Sequence, residues 1–329
     1  MKVLLRTLDG GSPLPRYRIF EALLKRCLRM LEHEVIELEL DGSFPPDPPE
    51  AELKIYAHKS RREVPNADLF YKEMYLRGLF TIDSLGWGGE HSRLREPPDV
   101  SNRDPDPARL LCEGLRQSFL KSGRSKHRQP RLRGIPEPVR PYILAPLQIP
   151  DDDAVKYHSP YTVFEYVEAL VAWAEESRFN IVFKPHPGAA SPDIGAILRA
   201  RGLSGRYVFV LNENIHALIA ASAGVVVLTS GVGFESLIHG KPVVTLGDPD
   251  YRWVTCHVGV GDGKLALDYI RAYSPIQQQA AYNFVSLYYQ EHAYDIASTR
   301  IKPVIARLLG YLSHVIQNAS GGLELRKIA

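Results

Sequence analysis

The sequence predicts an α/β protein of two domains, with a doubly wound parallel sheet in its second half. Three observations predict this class. The chain has 329 residues, more than one hydrophobic core usually holds. It opens with a strand, a helix and a strand at the spacing of a parallel βαβ unit. Its second half alternates helices with continuous apolar runs such as VVVL and YVFVL, which are typical of parallel strands buried on both faces.

The first half contains fewer regular elements than the second. Apolar periodicity and Gly/Pro punctuation separate its elements. The segment Asp68–Asp83 predicts a short helix followed by a strand. In order, we expect strand Lys2–Leu8, helix Tyr17–Leu31, strands Glu34–Leu40, Glu52–His58 and Leu79–Asp83, and helix Asp104–Leu120, which Asp104 or Asp106 caps.

A basic, proline-containing stretch follows the last of these helices. Between Lys121 and Arg140 apolar residues are sparse, which is typical of a linker. We therefore predict a domain boundary near residue 140, with domains at 1–140 and 141–265 and C-terminal helices at 266–329. The basic residues are Lys121, Arg124, Lys126, Arg128, Arg131, Arg133 and Arg140.

The second half predicts five strands that alternate with helices, and the chain after residue 265 is expected to be helical to its end. The strands are Tyr142–Gln148, Asn180–Lys184, Arg206–Leu211, Gly224–Leu228 and Pro242–Leu246, and the helices between them are Tyr161–Glu176, Asp193–Arg201, Ile215–Ala221 and Gly233–His239.

Composition excludes several classes of protein. Hydrophobic residues are 45% and charged residues 24% of the chain, as in ordinary globular proteins. Lys+Arg 40 against Asp+Glu 38 argues against a surface built for nucleic acid. Cys27, Cys112 and Cys256 are widely spaced without a CxxC pair, so we expect neither disulfides nor a zinc site. Without a signal peptide or a membrane-spanning run, the expected location is the cytoplasm, with peripheral contact at the inner membrane as an open possibility.

Each predicted strand of the second half ends in polar or glycine-rich residues. Ligands bind at the carboxyl ends of parallel strands, where loops and helix N-termini converge. The five loops together therefore predict a ligand crevice. They are Gln148 with Asp151–Asp153, Lys184–Gly188, Asn212–Asn214, Thr229–Glu235 and Gly247–Tyr251.

The Thr229–Glu235 loop predicts an anion site. Glycines at 231 and 233 allow a tight turn, and the helix N-terminus with the hydroxyls of Thr229 and Ser230 favours phosphate. Glu235, one turn on, could accept hydrogen bonds from a ribose. The match to GxGxxG is imperfect, and a capped helix start is the alternative interpretation.

Two more loops contain candidate ligands. Pro185 and Pro187 hold His186 rigidly beside Lys184 at a strand end, where an imidazole can neutralise a departing phosphate. A structural histidine is the alternative. Asp151–Asp153 is interpreted as a polar helix cap before Tyr161 in preference to a metal site, and we expect no metal and no cofactor.

The order of these motifs resembles the capsule polysaccharide biosynthesis proteins of the KpsC/KpsS type, which are GT-B glycosyltransferases that use CMP-Kdo. The resemblance rests on Gln148 with its aspartates, Lys184–Pro187, Thr229–Glu235, Gly240–Val244, and Gly247 with Tyr251. It covers about a third of the chain.

The resemblance implies two Rossmann-like domains that face each other across a cleft, with a helical tail that returns to the first. It implies that His186, with Ser230 and the turn Gly231–Gly233, binds the CMP phosphate and that Glu235 holds the ribose. Lys184 and Thr229 would complete the nucleotide site. Gln148 and Asp151–Asp153 would lie near the donor sugar or base.

The catalytic base has to come from the first half, which matches the family at no recognised motif. Transfer to an acceptor hydroxyl needs a group that takes its proton. Asp9 and Asp83 lie at predicted strand ends, and Asp83 is preferred, with Glu90 or His91 as alternatives. Asp83 as a turn-forming residue is the competing interpretation. Trp87, among glycines, could stack on a sugar ring.

The predicted function is transfer of Kdo or a related ulosonic acid from a CMP-sugar donor to a glycan acceptor, without a metal. Two alternatives stay open: a two-Rossmann nucleotide-sugar epimerase, and a non-catalytic scaffold that binds nucleotide or glycan. The stretch Lys121–Arg133 is interpreted as solvated linker; contact with anionic lipid or other glycan-assembly proteins is possible, and a nucleic-acid role ranks last.

Overall fold

The computed structural model describes residues 1–8, 15–40, 46–135, 139–188, 192–203, 205–299 and 301–328, and only the backbone of 319–328. The chain divides into two units. The first contains Met1–Arg93 and His292–Ala329, and the second contains Leu94–Glu291. None of the helices within the described ranges combines the length and the apolar character that crossing a membrane requires.

The first unit is built on a six-stranded sheet in the order β12-β5-β4-β3-β1-β2. Strands β1 to β4 run parallel, whereas β5 is antiparallel to β4 and β12 is antiparallel to β5. Apolar side chains of two helices pack on this sheet. The elements are β1 (Lys2–Leu8), α1 (Pro15–Met30), β2 (Glu34–Leu40), β3 (Leu53–Ala57), β4 (Leu69–Glu73), β5 (Leu79–Asp83), β12 (Ala293–Asp295) and α10 (Ile301–Ile328).

The sequence-based prediction for this unit is wrong in two places. The helix predicted within Asp68–Asp83 is replaced by β4, which forms a hairpin with β5. The tail predicted to be helical from residue 265 contains β12, the edge strand of the sheet. In both places cross-strand pairing, which a local pattern does not encode, decides the structure.

The second unit is a doubly wound sheet of six parallel strands in the order β11-β10-β9-β6-β7-β8. Strands β6 and β9 are buried along their whole length, as the apolar runs predict. The strands are β6 (Tyr142–Pro146), β7 (Asn180–Lys184), β8 (Val208–Val210), β9 (Gly224–Val227), β10 (Val243–Thr245) and β11 (Cys256–His257). The helices are α2 (Pro105–Ser122), α3 (Asp153–His158), α4 (Val163–Ser177), α5 (Ile194–Arg201), α6 (Ile215–Ala221), α7 (Gly231–Ile238), α8 (Gly263–Arg271) and α9 (Pro275–Leu287).

The division between the units differs from the predicted boundary near residue 140. Helix α2 packs against α9, α7 and α6, so the chain from Leu94 onward belongs with the second sheet. Helices α8 and α9 of the predicted tail also belong to this unit, and only α10 packs in the first, against α1. Of the predicted linker, residues 136–138 lie outside the described ranges.

Helix caps place polar residues directly after the strands of the second unit. Asp152, Asn214 and Ser230 are the N-caps of α3, α6 and α7, and each side chain accepts a hydrogen bond from a backbone N–H of the first helical turn. These helices begin at the carboxyl edge of a parallel sheet, where their N-terminal dipoles favour anions.

Candidate functional site

The predicted site residues of the second unit follow three adjacent strands. Gln148 comes after β6, His186 after β7 and Ser230 after β9, and β6 lies between the other two. The ends of β7 and β9 are therefore two strand spacings, or about 10 Å, apart. Gln148 stands between the histidine and the serine, at the middle of the carboxyl edge.

Gln148 is held by Thr229. Its Nε2 donates to Thr229 Oγ1 at 3.0 Å, and its Oε1 accepts the Thr229 backbone N–H at 3.0 Å. Thr229 Oγ1 in turn donates to the Ala154 carbonyl at 3.2 Å. The three residues connect the ends of β6 and β9 to the start of α3, so the centre of the edge is a fixed polar platform.

Ser230 begins the helix that carries the candidate anion site. Its Oγ accepts the Val232 N–H at 3.2 Å, and its carbonyl accepts the hydroxyl of Tyr251. Gly233 is required by this packing, because a Cβ at that position would lie 2.2 Å from Tyr251 Oη. The glycine, interpreted from the sequence as freedom for a tight turn, allows the Tyr251 ring to approach helix α7.

Lys184 and His186 supply nitrogen donors beside this platform. Lys184 is 3% exposed and its Nζ donates to Asn212 Oδ1 at 3.1 Å; burial lowers the pKa of its ammonium, which Glu213 opposes. The backbone N–H of Gly188 donates to His186 Nδ1 at 3.2 Å, so the ring proton is on Nε2. Burial, opposed by the charge of Asp152, lowers the pKa of His186. The imidazole is therefore a neutral donor at pH 7.

The aspartate triplet acts mainly as a helix cap. Asp152 accepts the Ala154 N–H at 2.8 Å, and Asp153 is the first residue of α3. Asp151 is exposed and Asp153 half-buried. The cap interpretation is confirmed for Asp152, although the helix that it begins is α3 and not the one that follows Tyr161.

Glu235 lies one turn into α7 and is only 2% exposed. Ser125 Oγ donates to its Oε1 at 2.6 Å. Burial raises the pKa of Glu235 to about 7, although the Ser125 hydrogen bond and the charge of Lys126 act in the opposite direction. The Ser125 hydroxyl therefore donates to the carboxylate of Glu235, which was predicted to bind a ribose hydroxyl.

This serine lies in a segment that was interpreted from the sequence as part of a linker, residues 123–130, which we call the strap. Asn214 Nδ2 donates to the carbonyls of Gly123 at 2.8 Å and Pro130 at 2.9 Å, and so joins both ends of the strap. His216 Nε2 lies 2.9 Å from the Arg124 carbonyl. The strap is anchored on α6 and α7 by buried groups, whereas its basic composition predicted a solvated linker.

One residue of the strap reaches the β7 loop. The rings of His127 and His186 lie edge to face, with centroids 5.1 Å apart and an interplanar angle of 68°. The strap is therefore adjacent to the candidate nucleotide site.

The predicted catalytic residues of the first unit are buried. Asp83 is 0% exposed; its Oδ1 accepts the N–H groups of Leu85 at 2.9 Å and Ser92 at 2.9 Å, and its Oδ2 accepts the Ser92 hydroxyl at 2.6 Å. Burial acts to raise the pKa of Asp83, but the nearby His91 and the Ser92 hydrogen bonds outweigh it, so the pKa is lowered. This geometry is that of a turn-forming aspartate, and its complete burial closes the carboxylate to an acceptor.

Asp83 also lies at the opposite edge of the sheet from the one expected for a base. Because β5 is antiparallel, Asp83 pairs with Phe70 near the start of β4, beside the amino ends of the parallel strands. Asp83 was chosen from the sequence as a strand-end residue, and no direction was assigned to its strand. Asp9, the other strand-end candidate, lies outside the described residues.

Glu90 is the last residue of a short helical turn after Trp87, and His91 follows it. Glu90 is 7% exposed and forms an ion pair with Arg62, whose side chain is 57% exposed. His91 is 0% exposed, its Nδ1 lies 3.5 Å from Asp83 Oδ2, and burial lowers its pKa to about 4. Trp87 is buried under the Lys72 ammonium, so it does not present a face to a sugar.

Part of the chain matches a known protein family. Residues 116–264 match the family model of capsule polysaccharide biosynthesis proteins. The predicted resemblance is confirmed. The matched segment includes the strap and every capsule-type motif residue from Gln148 to Tyr251, whereas Asp83, Glu90 and His91 lie before it.

Two relatives and one solved structure illustrate the extent of the likeness. The chain is 30% identical to Protein FixF of Sinorhizobium fredii over 149 residues, 41% of this chain and 36% of FixF. It is 24% identical to the capsule polysaccharide export protein KpsS of Escherichia coli over 237 residues, 56% of this chain and 61% of KpsS. The chain thus spans less than two thirds of either relative.

The structure of Thermosulfurimonas dismutans KpsC, beta Kdo 2,4 transferase, superposes with a TM-score of 0.55 at 18% identity, over 93% of this chain and 98% of that one. This likeness confirms the predicted α/β class with two Rossmann-like units of the GT-B type.

Proposed function

We propose that this protein is a glycosyltransferase that transfers Kdo or a related ulosonic acid from a CMP-activated donor to a surface glycan. The observation that carries the proposal is the set of donors at the β7-β6-β9 edge: His186 Nε2–H, the N-terminus of α7 capped by Ser230, and the buried Lys184. The match of residues 116–264 to the capsule biosynthesis family, and the name of the KpsC structure, support the same chemistry.

In the proposed reaction, an acceptor hydroxyl oxygen bonds to the anomeric carbon of the donor sugar while the bond from that carbon to the phosphate oxygen breaks. The electron pair leaves with the CMP phosphate, which gains one negative charge. The α7 dipole and the donors of His186 and Lys184 stabilise that charge, so the step needs no metal. The hydroxyl proton passes to a base.

We assign the base to Glu90 in preference to Asp83. The Asp83 carboxylate is fully buried and accepts hydrogen bonds from its own turn and from Ser92. Glu90 is restrained by Arg62, a largely exposed side chain that can rotate away. His91 is neutral but fully buried. We assign acceptor binding to the first unit on this basis.

Gln148 and Asp151–Asp153 differ in what they offer a donor sugar. Gln148 uses both amide ends on Thr229, so we assign it a positioning role. Asp151 is exposed and remains our candidate for contact with the sugar.

The test is a binding and turnover panel on the full chain. Calorimetry with CMP, UDP, GDP and NAD should show preference for CMP. The single variants Ser230→Ala and His186→Ala should each weaken CMP binding about tenfold, the effect expected for loss of a hydrogen bond to a charged group. CMP-Kdo and a capsular glycan acceptor should yield product. Preference for a uridine nucleotide, with an epimerised UDP-sugar by NMR, would favour the epimerase instead.

One observation favours a second candidate, a scaffold that binds nucleotide without turnover. Asp83 and His91 are both 0% exposed, so two of the three predicted bases within the described residues are closed to an acceptor. This candidate would be supported if the protein binds CMP, forms no product with any acceptor, and binds CMP equally well in the Glu90→Gln variant.

A further inference from the structure

The strap has a charge pattern that its surroundings do not require. The strap itself contains Arg124, Lys126 and Arg128, the flanking positions add Lys121, Arg131 and Arg133, and residues 121–133 contain no acidic residue, in a chain with 40 basic and 38 acidic residues. A loop that only joins α2 to β6 needs neither this charge nor an anchor.

The strap is anchored by buried polar side chains, whose burial is unfavourable unless they are hydrogen-bonded. Asn214 and His216 are 0% exposed and Glu235 is 2% exposed, and all three spend hydrogen-bonding atoms on the strap. The Arg124 carbonyl can only accept, so His216 Nε2 carries the proton and its Nδ1 accepts from His239 Nε2 at 3.2 Å. Buried polar groups that form such a chain fix one conformation.

The anchored conformation brings two cationic or donor side chains to the nucleotide site. His127, which is exposed, meets the His186 ring at 5.1 Å. Lys126, which is half-buried, directly follows Ser125, whose hydroxyl donates to Glu235 on α7, and its charge acts to lower the pKa of that carboxylate. The strap therefore lies beside both elements to which we assign the phosphate, the β7 loop and helix α7.

We propose that the strap forms a wall of the donor site, in which Lys126 and His127 contact the anionic part of the donor nucleotide and Glu235 is a positioning residue that holds the strap through Ser125. The inference rests on the proposed function and adds residues that a linker interpretation leaves out. It also reassigns Glu235, whose carboxylate is occupied by Ser125 and closed to a ribose.

The strap would add positive charge beside the leaving nucleotide. His186 is neutral in the unliganded protein, and Lys184 is the one ammonium within the β7 motif. The leaving nucleotide carries one more negative charge than it does in the intact donor, and positive charge that is already in place costs no reorganisation as the bond breaks. The strap supplies that charge from an anchored backbone.

The experiment compares CMP with cytidine, which lacks the phosphate, on the full chain. The variants are Lys126→Met and His127→Phe, which keeps a ring against His186, with Arg131→Gln as the control that removes an exposed charge of the same stretch. Calorimetry at low and high salt should show that Lys126→Met weakens CMP about tenfold, flattens its salt dependence and leaves cytidine unchanged. Arg131→Gln should leave the ratio of CMP to cytidine affinity as in the wild type.

Ser125→Ala and Glu235→Gln test the positioning role. Ser125→Ala removes the anchor and should lower the CMP to cytidine ratio, whereas Glu235→Gln keeps an acceptor for Ser125 and should preserve it. Thermal unfolding confirms that each variant is folded. Equal losses for CMP and cytidine in the Lys126 variant, or no loss for CMP, would overturn the proposal.

The outcomes separate this inference from the function on which it rests. If the wild type prefers another nucleotide, the same variants are measured with that nucleotide and its nucleoside, and the wall stands or falls independently of the CMP assignment. If His186→Ala weakens binding and the strap variants do not, only the wall is wrong. If no nucleotide binds, both proposals are wrong.

Discussion

Gln148 and Thr229 hydrogen-bond each other twice, amide nitrogen to hydroxyl and backbone N–H to amide oxygen, both at 3.0 Å. The pair connects the ends of β6 and β9, the adjacent strands at the centre of the sheet. Both ends of the glutamine amide are thus engaged within the protein. The pair therefore sets the distance between the loop after β6 and the start of α7.

Replacing Gln148 by Ala should destabilise the protein by about 2 kcal/mol, because two hydrogen bonds are lost and the Thr229 N–H is left without its acceptor. Urea denaturation measures the change. Asp151→Ala, at an exposed position three residues on, is the control and should change stability by less than about 0.5 kcal/mol. An unchanged stability with weaker donor binding would instead mean that Gln148 contacts the sugar, as the sequence predicted.

Replacing Gly233 by Ala should cost about 1–3 kcal/mol, the usual range for overpacking, because the new Cβ would lie 2.2 Å from the buried Tyr251 hydroxyl. CMP affinity should fall as well, since the tyrosine hydroxyl donates to the carbonyl of the helix cap Ser230. Gly114, exposed within α2 with nothing within 4 Å of a Cβ, provides the matched control. Gly114→Ala should stabilise the protein by up to about 1 kcal/mol; equal effects at the two glycines would contradict the packing argument.

Glu235 makes stability depend on pH. Burial raises its pKa to about 7 from 4.5, so between these values the folded chain keeps a proton that the unfolded chain has released. The free energy of unfolding should therefore fall as pH rises through this window, by on the order of 3 kcal/mol in total.

Urea denaturation from pH 4.5 to 8 measures this dependence. Glu235→Gln should flatten it, and Glu96→Gln, at an exposed position, should leave it as in the wild type. A Glu235→Gln profile parallel to that of the wild type would place the titrating group elsewhere.

The central strands of the second sheet could be predicted from the sequence because they are buried and read as continuous apolar runs. The run YVFVL forms the edge strand β8 instead, where Val210 is 51% exposed. The strap could not be predicted. Its anchors, Asn214 and His216, lie about ninety residues further along the chain, and its basic composition is equally typical of a solvated linker. The match of the capsule family model, which begins at residue 116, includes it.

The direction of β5 was missed although a local signal exists. Two apolar runs, Leu69–Glu73 and Leu79–Asp83, are separated by five residues that end in Gly78, at φ 79°. That spacing with a glycine favours a hairpin. A hairpin makes β5 antiparallel and moves Asp83 away from the carboxyl ends of β1, β3 and β4.

Asp83 and Glu90 should therefore respond differently to amide substitution. Asp83→Asn disturbs a buried carboxylate that accepts three N–H groups and the Ser92 hydroxyl, and we expect a loss of about 1–3 kcal/mol of stability. Glu90→Gln loses only a pair with an exposed arginine, which is worth about 1 kcal/mol or less, but should reduce turnover by about 10²-fold or more if Glu90 is the base. Denaturation and a transfer assay on both variants measure the contrast. Loss of turnover in a stable Asp83→Asn protein would restore Asp83 as the base.

CMP affinity should rise as pH falls from 8 to 6.5, because the lowered pKa of free His186 leaves the imidazole neutral and a bound phosphate favours its protonated form. The bound pKa then exceeds the free pKa, and each unit of difference gives about a tenfold gain in affinity across the window between them. The range ends at 6.5 because CMP itself takes up a proton near pH 6. Calorimetry at four pH values measures the slope, and His186→Gln, which keeps a hydrogen-bond donor without a titrating ring, should remove it. An unchanged slope in His186→Gln, with the slope lost in His127→Phe, would transfer the titration to the strap and leave His186 as a neutral donor.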